Sequence, residues 1–201
     1  MYRSWMPRTC RLLALLAVAA ALTGCTGDSR ERRELSQPTT AALPVANAAP
    51  PPRPKPATAD CSTRSFGDFI GAFTDPANLV VGPFVLVGGA TPTSAATVEG
   101  LGGQKYPVLV REGHVVTVEI PEAARGFASL GYGPLPQGKV GFHDGHEAVA
   151  FTACARGTDA ASRTFWSGFV FALEPSCVPL DLYVDGRPSP RRAEVALGRA
   201  C

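Results

Sequence analysis

The stretch Cys177-Val178-Pro179-Leu180-Asp181-Leu182-Tyr183-Val184-Asp185 decides the fold. Val178, Leu180, Leu182 and Val184 alternate with Pro179, Asp181, Tyr183 and Asp185, and a period of two puts each set on its own side of an extended chain. The product is a strand with one wet face. Val116, Val118 and Ile120 alternate with Thr117 and Glu119 in the same way. Residues 165–173 differ: Phe165, Phe169 and Phe171 oppose Trp166 and Val170, so both faces are apolar and a central strand is expected. Residues 79–87, 106–111, 139–142, 146–154 and 192–197 are further candidate strands.

Turn chemistry agrees with this pattern. Glu112-Gly113 and Asp144-Gly145 sit between apolar-rich runs as two-residue hairpin turns, in which glycine accepts the positive φ required. Asp185-Gly186 opens a longer turn closed by Pro188. The expected fold is all-β, an immunoglobulin-like β-sandwich of about 7–9 strands. One short N-terminal helix is added where Phe66, Phe69, Ile70 and Phe73 follow helical spacing behind Ser62 and Thr63. Gly67 and Gly71 weaken that helix by about 1 kcal/mol each. The loop 88–103, rich in Gly, Thr and Ala, reads as a flexible surface loop.

This domain is expected over 60–201, long enough for one core. Residues 25–59 carry one charged cluster (Asp28 to Glu34) and seven prolines with almost nothing to bury, the composition of an extended tether. Residues 1–24 hold Arg3, Arg8 and Arg11, then an apolar run from Leu12 to Leu22, in the order of an export signal. That run is shorter than the roughly 20 residues needed to span a bilayer.

The signal ends on Leu22-Thr23-Gly24-Cys25, which resembles the lipobox of bacterial lipoproteins. The resemblance implies cleavage before Cys25, lipidation of Cys25 with palmitate-type acyl chains, and a protein anchored at the extracytoplasmic face of the cell membrane. Two or more such chains anchor stably where one does not. The layout of lipobox, proline-rich tether and β-rich domain, with Gly113-His114-Val115-Val116-Thr117-Val118, Leu130-Gly131-Tyr132-Gly133 and a terminal cysteine, resembles small actinobacterial lipoproteins. That resemblance covers most of the chain and implies no particular activity.

The formal charge of +2 falls to −1 once the three signal arginines leave, and residues 60–201 hold 14 acids against 11 bases. Such a surface excludes a nucleic-acid partner on electrostatic grounds. With Cys10 removed and Cys25 acylated, Cys61, Cys154, Cys177 and Cys201 remain. An even remainder in an exported chain reads as two disulfides, with three possible connectivities. Cys61–Cys201 with Cys154–Cys177 is the favoured one, joining the domain ends and closing one compact stretch. No close cysteine pair suggests a thiolate metal site.

His143-Asp144-Gly145-His146 is the best candidate site. Across a two-residue turn His143 and His146 face each other with Cβ atoms about 5.5 Å apart, where two imidazoles can share Zn²⁺ or Cu²⁺. A third ligand is needed, Asp144 or His114 from the other hairpin. The alternative is solvated turn residues. Gly-x-Ser-x-Gly is absent, and Trp166-Ser167-Gly168 places its serine in mid-strand. Trp166, Phe165, Phe169 and Phe171 form either core or the lining of a ligand groove.

The function expected from these residues is therefore a membrane-anchored, non-catalytic binding or accessory module whose partner is an envelope protein or glycan. The alternatives are a metal-binding lipoprotein using surface histidines, and an envelope hydrolase with a loop-built site.

Overall fold

Residues 52–67, 69–155 and 162–201 are described by a computed structural model. Cys25, the signal and most of the tether lie outside these residues. The described chain is all-β and sandwich-like, with twelve strands in three sheets and one short helix.

Sheet A has the order β1-β8-β6-β11-β12, formed by β1 (Ala57–Ala59), β8 (Ala148–Thr152), β6 (Val115–Glu119), β11 (Ser176–Val184) and β12 (Arg191–Leu197). Its strands alternate as the sequence does: in β11, Val178, Leu180, Leu182 and Val184 are buried, while Pro179, Asp181 and Tyr183 are only partly so. Sheet B has the order β2-β3-β5-β9, formed by β2 (Leu79–Val81), β3 (Phe84–Leu86), β5 (Val108–Arg111) and β9 (Arg163–Trp166). Sheet C is β4-β10-β7, formed by β4 (Gly103–Lys105), β10 (Phe169–Ala172) and β7 (Ala128–Gly131). One core cluster draws on all three sheets. At its centre Phe151 of sheet A meets Phe84 and Trp166 of sheet B edge-on, with ring centroids 6.1 and 5.4 Å apart.

Several elements differ from expectation for identifiable reasons. Residues 79–87 form not one strand but the hairpin β2-β3, because Gly82 turns at φ 61°. The apolar run 165–173 is two strands in different sheets, β9 and β10, broken at Ser167-Gly168. A Cβ on Gly168 would lie 2.2 Å from the Tyr132 ring, so only glycine lets the chain pass there. Glu112-Gly113 is a tight turn, with His114 N–H donating to Arg111 C=O at 3.3 Å, but it carries the chain from sheet B to sheet A and makes no hairpin.

Asp144-Gly145 is not a hairpin turn either. Residues 142–144 form a 3₁₀ turn in which the Asp144 carboxylate accepts the Gly141 N–H at 2.9 Å. Ser129 Oγ donates to Phe142 C=O at 2.7 Å and ties this turn to β7.

The single α-helix among the described residues lies where a loop was expected, at α1 (Ala95–Leu101). Ser94 caps its start by accepting the Thr97 N–H, and Gly102 ends it at φ 69°. The described residues of 62–73 form turns, a bend and a bridge from Ser65 to Phe165 instead of a helix, their apolar residues divided between sheet and solvent. β1 and Arg53 lie within the stretch assigned to the tether yet belong to the folded part: β1 pairs in parallel with β8, Ala57 and Ala59 opposite Val149 and Phe151.

The four cysteines among the described residues are all disulfide-bonded, in a connectivity other than the favoured one. Cys61 joins Cys154 and Cys177 joins Cys201. Topology explains the correction. Cys61 follows β1 and Cys154 follows β8, and these strands run parallel, so their ends meet. Cys177 opens β11, and its antiparallel partner β12 returns the C-terminus to that end.

Candidate functional site

The outer face of sheet A is where polar chemistry collects. Register sets Glu119, Asp181 and Arg192 side by side across β6, β11 and β12, with Thr117 and Tyr183 in the next row. Glu119 is 5% exposed, and a carboxylate so placed needs a charged partner. Arg53 supplies it: Nε donates to Glu119 Oε1 at 2.8 Å and the second guanidinium nitrogen reaches the same oxygen. The guanidinium also stacks on Tyr183, 3.5 Å from its ring centroid. The bond from Glu119 raises the Arg53 guanidinium above its usual pKa, and burial raises the Tyr183 phenol. The lead-in to β1 is thereby strapped across β6 and β11.

Beside the strap lies an open groove of about 520 Å³. Pro121, Pro179 and Leu180 give it apolar walls, and Asp181, Arg192 and Glu194 line it with charge. Arg192 Nε sits 3.5 Å from Asp181 Oδ1. This surface can hold a ligand with apolar parts and hydrogen-bonding or charged groups. Among the described residues it shows no nucleophile–base pair.

The histidines are not brought together. His143 sits in the 3₁₀ turn, its ring edge-on to Phe142 at 4.9 Å. His146 bridges to Leu130 through two backbone bonds, and its Nε2 lies 3.0 Å from Pro134 C=O. His114 stands elsewhere, with Nδ1 2.9 Å from Asp185 Oδ2. Among the described residues no three His, Cys, Asp or Glu side chains are placed to hold a metal. The hairpin turn expected between His143 and His146 is replaced by the 3₁₀ turn. The aromatics of 165–171 are mostly core: Trp166 and Phe171 are each 1% exposed, and Phe165 lies under Phe69 with ring centroids 4.7 Å apart.

Sequence reasoning missed Arg53, Glu119 and the His114–Asp185 pair. Each joins residues more than sixty positions apart, for which the sequence offers no local signal. The Asp185 carboxylate accepts from His114 and from the Val115 N–H, and these bonds hold its pKa below the usual carboxylate value.

No protein-family model matches the chain, and searches of curated proteins and of solved structures find no match.

Proposed function

We propose that this chain is an extracytoplasmic lipoprotein held to the cell membrane through Cys25, and that its folded domain is a non-catalytic module binding another envelope component, protein or glycan. The observation that carries the binding reading is the mixed apolar and charged groove on the outer face of sheet A, beside Arg53. Leu22-Thr23-Gly24-Cys25 and the actinobacterial layout support the anchor, and two disulfides suit an oxidising compartment. Among the described residues no helix is long and apolar enough to cross a membrane. Attachment in this reading runs through acyl chains.

Metabolic labelling with an alkyne palmitate in the native host tests the anchor. Wild type should take up label and fractionate with membranes, and Cys25→Ala should do neither. Equal labelling of both would sink the reading. For the groove, a photo-crosslinker at position 194 should give a discrete adduct in living cells that a control probe at position 139 does not. Identical adducts from both positions would remove the groove as the binding surface.

A further inference from the structure

Among the described residues, the two most exposed large apolar side chains are Ile70 at 87% and Phe66 at 78%. They stand four positions apart in sequence, and the described backbone on either side of Asp68 is held. Ser65 N–H donates to Phe165 C=O at 2.8 Å, Ala72 N–H to Phe69 C=O at 3.1 Å and Thr74 N–H to Gly71 C=O at 2.9 Å. The root of the loop is fixed by Cys61–Cys154. Within it the apolar residues divide: Phe69, Ala72 and Phe73 pack down onto Val85 and Leu109 of sheet B, while Phe66 and Ile70 stand up into solvent. A braced loop that leaves two large apolar side chains exposed marks an interaction site.

The chemistry around the tip favours a bilayer. The Arg64 guanidinium lies 5.6 Å from the Phe66 ring centroid and that of Arg111 lies 4.1 Å from Phe73. A projecting apolar tip with a cationic collar matches the bilayer interface, where aromatic side chains sit at headgroup depth and arginine meets lipid phosphates. Asp75 accepts its own chain's Ala77 N–H at 2.9 Å, and in sequence Asp68 stands between Phe66 and Ile70 and Glu112 follows Arg111, so acids offset the arginines. Apolar insertion therefore supplies most of the affinity.

The tether permits the contact. Twenty-six residues separate Cys25 from Pro52, and at about 3.3–3.6 Å each they reach roughly 90 Å, several times the ~10 Å spacing of two packed sheets. A domain on such a leash can turn its loop back to the membrane that holds the anchor.

We infer that Phe66 and Ile70 insert into the interfacial layer of an anionic bilayer, with Arg64 and Arg111 against its headgroups, so that the domain lies on the membrane at a second point. The inference rests on the anchored reading above, and its test does not require the acyl chains.

The chain from Thr26 onward keeps every described residue and lacks the signal and Cys25. It should sediment with vesicles of phosphatidylglycerol and phosphatidylcholine in equal parts, and less with phosphatidylcholine alone. Phe66→Ser with Ile70→Ser should weaken binding at least about tenfold, and Arg64→Gln by about threefold. Both apolar residues are exposed, so the double variant should keep the wild-type melting temperature, which separates lost contact from lost fold. A wild-type chain that ignores both vesicles, or a double variant that binds as well as wild type, would overturn the inference. So would a double variant that loses a protein complex while wild type ignores lipid. Palmitate labelling at Cys25 is read separately, so failure here and failure of the anchor are distinguishable.

Discussion

The two outer faces of the sandwich are built oppositely. On sheet A the outer side chains include Thr58, Thr117, Glu119, Asp181, Tyr183 and Arg192, and the Arg53 strap crosses them. On sheet B they include Val85, Leu109 and Phe165, and the loop after β1 lays Phe69, Ala72 and Phe73 over them. The sequence carries this difference in its period. β11 alternates because one face stays wet, whereas Val108-Leu109-Val110 is continuously apolar because β5 is covered twice. A strand without alternation implies a cover, and here the cover is a loop.

The comparison can be broken most strongly at the root of the cover. Replacing Cys61 and Cys154 by serine removes a cross-link spanning 93 residues, and the chain-entropy model sets its contribution at about 4.6 kcal/mol. Denaturant titration should show a loss of that order, larger than the roughly 3.5 kcal/mol expected for opening Cys177–Cys201, 24 residues apart. Next comes the test of equivalence between faces. Leu109→Ala on the covered outer side of sheet B should cost about 2–5 kcal/mol, as much as Leu180→Ala on the inner side of sheet A. Thr117→Ala on the wet face should stay within about 0.5 kcal/mol. If Leu109→Ala behaved like Thr117→Ala in thermal melts, the loop would not be a true cover.

Arg53→Ala should cost about 1–3 kcal/mol, since it strands the nearly buried Glu119 carboxylate. Adding Glu119→Gln should recover part of that loss. Asp185→Asn should cost less than Arg53→Ala, within about 1 kcal/mol because the pair is exposed. Its sign with pH follows from the lowered pKa of Asp185. The wild-type advantage is present above the unfolded carboxylate pKa of 3.8 and vanishes as pH falls through the lower folded value. Melting curves of wild type and Asp185→Asn should therefore converge in acid, and curves that diverge there would assign the stabilisation to another group.

Much of the fold was legible because burial writes itself into local pattern. β6 and β11 followed from alternation, and the all-β class followed from many short apolar runs between turns. What failed needed information from distant residues. Asp144-Gly145 has the composition of a hairpin turn, but Ser129 holds residues 142–144 as a 3₁₀ turn against β7. The helix expected near Phe69 gave way because Phe165 and Leu109 needed covering, whereas α1 was concealed in a loop whose only signals were Ser94 and Gly102. The cysteines followed the same division: that they pair was visible in their count, but which pairs form depended on β1 being a strand parallel to β8. The polar groove was hidden because its residues come from separate strands. Adjacency across strands is not adjacency along the chain.

The parallel pairing of β1 also sets how the domain bears load. A pull applied ahead of Pro52 reaches the fold first at Arg53, which hands it to Glu119 of β6 and Tyr183 of β11. It then meets the β1–β8 ladder, and beyond that the covalent stop at Cys61–Cys154. The force is taken up in series by an ion pair, three residues of strand and a sulfur bridge. Tension from the N-terminal side thus enters the molecule beside the groove and is grounded at the end of β8.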